Sequence, residues 1–195
     1  LESIRARGWD DDVDIIFTTD HGELQGDFGL LFKGPYHVDG LMRLPLIWRP
    51  APSAGVRPAV VDAPVSLVSL AATFCQVAGI ATPEWSEGNA LPQSDGGAPE
   101  GAHTVTEWDS VLFGIDVHLR SVVTSNYLYS RYQAGSVHDG SERELYVLSE
   151  DPLQRVNRAD DPTLASAIEE LDALLDQHDQ RPNQKTEWGV VVAPV

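Results

Sequence analysis

Cysteine, methionine and lysine are nearly absent from this chain. One Cys, one Met and two Lys stand among 195 residues. A single thiol, Cys75, excludes a disulfide within the chain. It sits in the apolar helical run 71–78, so we expect a buried, inert thiol and not a nucleophile. No apolar run is long enough to span a membrane. Positive charge is scarce: 13 Lys and Arg face 30 Asp and Glu, a net charge of −17. Such a surface repels polyanions, so we expect neither nucleic acid nor an anionic membrane as partner. An anionic small substrate is compatible only where local positive groups overcome the general repulsion. Internal repeats are absent.

What is present begins with a 42% hydrophobic content, sufficient for a core. The length suits one domain, or one with a small appendage. The most informative stretch is 13–49. An apolar run, Val13 to Phe17, ends in two threonines and then Asp20-His21-Gly22-Glu23. That reads as a short buried strand emptying into a loop. Open α/β sheets bind ligands beyond the carboxyl ends of their strands. Gly22 allows a sharp turn straight after the acid and the imidazole. Lys33 follows in a loop punctuated by Gly26, Gly29, Gly34 and Pro35. Asp and His bind metals, and Lys offers a point charge to an anion. A metal beside a fixed ammonium suits the binding and cleavage of a tetrahedral oxyanion ester. The plainer alternative is an Asp/His turn with local hydrogen bonds and a solvated lysine.

Elsewhere the pattern alternates helix and strand. Residues 1–7 read as a helix end stopped by Gly8, and Asp10 to Asp12 as a solvated turn. Leu44 to Arg49 is a second strand, closed by Pro50 and Pro52. Ser66 to Ala78 is a helix with Leu67, Leu70, Ala71, Phe74 and Val77 on one face and Gly79 at its end. Residues 81–102 form a long irregular loop. His103 to Trp108 is a strand, expected to be the last of the large sheet. Strands 119–124, 127–133 and 143–148 follow on short connections, hence antiparallel. Asp161 and Pro162 open a final helix with the stripe Leu164, Ile168, Leu171, Leu174 and Leu175. The tail 181–195 carries no readable role.

Several segments together resemble the formylglycine-dependent sulfatases of the alkaline phosphatase superfamily. They are Thr19-Asp20-His21-Gly22-Glu23, Lys33-Gly34, Arg43-Leu44-Pro45, Leu119-Arg120-Ser121-Val122 with Tyr127-Leu128-Tyr129, and Glu144-Leu145-Tyr146-Val147-Leu148 with Asp151-Pro152 and Asn157. The resemblance implies an α/β fold: the C-terminal part of a mixed-sheet, alkaline phosphatase-like fold, then a small antiparallel sheet with a C-terminal helix. It divides the chain into 1–108, the C-terminal portion of the large domain, and 109–195, a small α+β subdomain. It implies sulfuric ester hydrolysis of a small sulfated substrate, with phosphodiester or phosphonate monoester hydrolysis, or a non-catalytic role, as alternatives. It implies Asp20 and His21 as ligands of one divalent metal, Ca2+ first and Mn2+ or Zn2+ second, since imidazole suits the latter pair better. Lys33 is implied as the catalytic contact to the sulfate and bridging oxygens. His37 is expected either to line the substrate pocket or to be a hydrogen-bonded surface histidine. Arg43 is expected to pair with a carboxylate. Phe28 stands where the family often has a histidine. The family's formylglycine and its Asp pair are not recognisable here, so they are expected outside this chain, in a missing N-terminal part of the enzyme.

Overall fold

The computed structural model describes residues 1–94, 97–112 and 114–181; most of the tail 181–195 therefore lies outside the described residues. The elements run α1 (Glu2–Ala6), β1 (Ile15–Phe17), α2 (Asp39–Met42), β2 (Ile47–Arg49), α3 (Ser69–Val77), β3 (Thr104–Leu112), β4 (Ile115–Val123), β5 (Tyr127–Gln133), β6 (Arg143–Val147) and α4 (Ala165–Asp179).

Two sheets result. β1 pairs antiparallel with β2, Ile15 opposite Arg49 and Phe17 opposite Ile47. Polar groups beside the strands lock this pair: Trp48 Nε1 donates to Asp14 at 2.8 Å, and Arg49 reaches Asp10. Asp10 is thus an ion-pair partner and not a purely solvated turn residue. Strand β1 was expected to be buried, yet Phe17 is 60% and Ile47 65% exposed. In this chain no other strand pairs with β1 or β2 among the described residues, and the cross-strand pair faces outward.

The second sheet is a meander, β3-β4-β5-β6, antiparallel throughout. Short turns enforce this: Thr124 N–H donates to Tyr127 O across Ser125-Asn126, a connection too tight for parallel strands. Strand β3 was expected in the large sheet. It instead forms the edge of the meander, paired with β4 from Thr104 opposite Val123 to Leu112 opposite Ile115.

The meander is covered on one face by α4. Val122, Tyr129, Leu145, Leu171 and Leu175 are buried together, with Leu164, Ile168 and Leu174 packed around them. Asp161 accepts from Thr163 N–H at 2.9 Å and opens the segment as a cap, with Pro162 in the first turn. Bonds from Thr163 and then Arg158 hold its carboxyl down to about 2. Helix α3 starts at Ser69, three residues later than expected, since Ser66 Oγ accepts from Val68 N–H in a preceding turn. Its end matches expectation. Gly79 has φ 67°, Gly79 N–H bonds Gln76 O, and Ile80 N–H bonds Cys75 O, the paired closure that a left-handed glycine permits. Its buried residues are Ala72 and Thr73, whereas Phe74 and Val77 are exposed. The expected apolar face is therefore only partly covered: Leu67, Leu70 and Ala71 are half-buried, as is Cys75.

Candidate functional site

Beyond β1 the chain turns through Thr18 to Glu23 with no regular structure. Local polar contacts shape the turn: Thr19 Oγ1 donates to Asp20 Oδ1 at 3.2 Å, and His21 N–H to the same oxygen at 3.0 Å. The Asp20 side chain is 83% exposed. Its own backbone N–H holds its carboxyl below the usual carboxylate range, with His21 and Thr19 adding to this. An ionised, solvent-facing carboxylate is a competent cation ligand.

Gly22 is required by close approach. Its N–H donates to Leu41 O at 2.9 Å, and a Cβ there would lie 2.0 Å from Gly40 O. Any side chain at 22 would push the Asp20-His21 turn off α2. Beneath, Leu24, Val38 and Leu41 form a small buried cluster with Leu30 and Met42. The site loop therefore rests on its own core. Three of the described residues from 25 to 32, Gln25, Phe28 and Phe32, have φ between 48 and 66°. Non-glycine residues in this left-handed region carry strain, a feature concentrated at functional loops. Phe28 and Phe32 are also exposed.

The loop returns Lys33 to the strand end. Lys33 Nζ lies 2.6 Å from His21 Nε2. His21 Nδ1 lies 2.9 Å from Gly22 O. A carbonyl only accepts, so Nδ1 carries the proton and Nε2 offers its lone pair to the ammonium. The carbonyl thus sets tautomer and ring direction, the arrangement that metal-binding histidines require. Asp20 Oδ2 stands 3.5 Å from the same Nε2. Three residues chosen from sequence, Asp20, His21 and Lys33, are brought together at one point. As a metal site the donor set fits but is partial: one carboxylate and one imidazole, with no group of three His, Cys, Asp or Glu placed to hold a metal among the described residues.

His37 is not part of that cluster. It is 5% exposed, and its Nδ1 lies 2.8 Å from Ser121 Oγ on β4. Burial, and then the charge of Arg120, push its imidazole down to about 4. It is hydrogen-bonded as expected, but buried under the meander and not on the surface. Arg43 pairs with Asp39 at 3.6 Å, as expected. A small cleft lined by Val147, Glu150, Asp151, Val156 and Arg158 lies away from all these residues. Sequence reading missed that Ser121 on β4, backed by Ser130, and Gln154 in the loop after β6 touch the site segment. Ser121 could have been noticed: at period two it shares a face with Val117 and Leu119, a serine in a row of core residues.

The chain is 32% identical over 182 residues, 90% of its length, to the uncharacterized sulfatase YidJ of Escherichia coli (strain K12), of which it covers 34%. The chain is a sulfatase homologue. It matches the C-terminal part of such proteins and has their alkaline phosphatase-like fold. Among solved structures, a 2-O GAG sulfatase superposes with a TM-score of 0.72 at 28% identity, over 86% of this chain and 36% of that one. The phosphonate monoester hydrolase of Agrobacterium radiobacter superposes with a TM-score of 0.69 at 25% identity, over 92% and 37%. No family model matches. This sulfatase homologue spans about a third of the length of the curated relatives it matches.

Proposed function

We propose that this chain serves a sulfuric ester hydrolase acting on a small sulfated substrate, with Asp20 and His21 holding a divalent metal and Lys33 acting on the reacting anion. One observation carries the reading: the Lys33 ammonium and the Asp20 carboxylate meet at a single nitrogen of His21. Kinship with sulfatases supports the ester class. Calcium is the first expectation for the metal and manganese or zinc the second, given one imidazole donor. When bound, the metal withdraws charge from the ester oxygens. The chain's own residues do the rest. The Gly22 carbonyl keeps the Nε2 lone pair available. That lone pair serves one partner at a time, so Lys33 is released toward the substrate whenever Nε2 is otherwise engaged. Its ammonium then counters charge growing on the sulfate and bridging oxygens. The chemistry needs a nucleophile that these three residues do not supply, so the 195-residue chain by itself is expected to show no turnover. Phosphonate monoester hydrolysis is the second reading, favoured by the structural likeness to that hydrolase.

The test is turnover of aryl sulfates against aryl phosphonate monoesters by the full protein, beside metal content by elemental analysis. Asp20→Ala should lose metal and recover partly with excess metal. Lys33→Ala should keep metal and lose about a hundredfold in turnover, the usual cost of one preorganised charge contact. The loss should shrink for better leaving groups. An emptied metal site in Lys33→Ala, or an equal loss for every leaving group, overturns the assigned role.

A further inference from the structure

The segment that follows Lys33 is tied to the second sheet by a buried polar link, and to the loop after β6 by a partly buried one. In the first, His37 Nδ1 lies 2.8 Å from Ser121 Oγ, which lies 2.7 Å from Ser130 Oγ on the next strand. Ser121 and Ser130 are cross-strand partners, and both are buried. In the second, Asp39 N–H donates to Gln154 Oε1 at 2.9 Å, and Gln154 Nε2 donates to Asp39 Oδ1 at 3.2 Å. Gln154 is 2% exposed and has φ 53°. A glycine would take up that φ without strain but could make neither bond. A buried two-point grip on one backbone segment is a costly arrangement unless every member is satisfied, and here each link is.

We propose that His37 and Gln154 are positioning residues: acting through Ser121 and Asp39, they fix the 33–42 segment against the four-stranded sheet and the loop that follows it, and thereby set where the Lys33 ammonium stands. This rests on the reading of Asp20, His21 and Lys33 as the reacting site. The connection to Lys33 is short and stiff. Only Gly34, Pro35 and Tyr36 separate Lys33 from His37, and Pro35 locks its own φ. The connection to His21 is equally direct. The grip on Asp39 holds α2, and α2 carries the Gly40 and Leu41 carbonyls on which Gly22 is seated. One grip therefore places both halves of the site relative to each other. The small sheet becomes a support for the reacting groups, acting at the far side of the loop from the chemistry.

The chain's lysine content makes the test direct. Only Lys33 and Lys185 occur, so lysine-selective 13C labelling of the full protein yields two side-chain signals from this segment, assigned with Lys185→Arg. In His37→Ala and in Gln154→Ala the Lys33 signal should move, and the amides of 34–42 should exchange about tenfold faster, the worth of one buried hydrogen bond. His37→Asn, whose amide keeps a polar group near the Nδ1 position, should restore most of both. Neither readout needs metal or turnover. A protein that shows them yet cleaves no sulfate ester keeps the linkage and overturns the functional reading. An unmoved Lys33 signal in folded variants, or faster exchange spread evenly over the chain, overturns the linkage. Global unfolding of both variants does so as well, since the links would then serve the fold and not the site.

Discussion

Two histidines of this chain are shifted in opposite directions from the ordinary imidazole value, each for a reason visible in its contacts. His37 is buried, and burial with the Arg120 charge lowers it from 6.5 to about 4. The unfolded chain therefore binds a proton between these values that the folded one refuses. Stability should be full above about pH 6.5 and fall as pH drops toward 4, by about 3 kcal/mol in total from this residue. Urea unfolding at stepped pH checks this, and His37→Asn should flatten the slope. His118 has Nδ1 2.8 Å from Asp109 and Nε2 2.7 Å from Asp116. The Asp109 bond, then the charges of Asp116 and Asp109, raise it above 6.5. Its contribution is present at low pH and fades as pH rises through the raised value. Proton NMR should find His118 titrating above 6.5 and His37 below; coincident midpoints would exclude both assignments.

At the scale of elements, α4 is held by a stripe and a rim. The stripe buries Leu171 and Leu175 on Val122, Tyr129 and Leu145. Along the rim, Arg131 reaches Asp172, Asp176 and Asp179, spaced by one helical turn each, at 3.4, 2.7 and 3.0 Å. Tyr129 donates its hydroxyl to Asp172 at 2.8 Å. Leu171→Ala should cost about 2–5 kcal/mol by leaving a cavity. Exposed Glu170→Ala should change stability by no more than ~0.5 kcal/mol. Thermal melts of the two variants decide it, and equal shifts would mean the stripe faces elsewhere. Helix α3 shows how far periodicity reaches. Its apolar spacing identified a helix, and its glycine stop fell where expected, but Phe74 faces solvent in this chain.

For the whole molecule, the Phe17–Ile47 pair leaves an exposed apolar face on a two-stranded sheet. A two-stranded pair with an apolar outer face is marginal in water and offers open edges. The purified 195-residue chain should therefore self-associate as concentration rises. Sedimentation velocity across a dilution series measures it, with Ile47→Lys expected to shift the balance toward monomer. A monomer at every concentration would contradict the expectation.

The sequence by itself determined the local vocabulary of this protein. Turn residues and short connections placed β5 and β6 close to their observed bounds, whereas β4 begins at Ile115, four residues earlier than expected. Asp161 with Pro162 announced the start of the last helical segment, and Gly79 the end of α3. Asp20, His21 and Lys33 were legible because strand end, glycine turn and glycine-rich loop lie within fifteen residues of one another, so local geometry suffices to bring them together. Tertiary structure alone decided what depends on distant pairings. Whether β3 joins the first sheet or the second is a matter of which strand edge it pairs with, and it pairs with β4. His37 could have faced solvent; it is buried, because a serine 84 residues onward in the chain meets its Nδ1. Gln154 carries no mark in sequence that it will hold Asp39 across 115 positions. A hydrogen-bonding side chain states what it can bind, and only the packing of one layer on another supplies the partner.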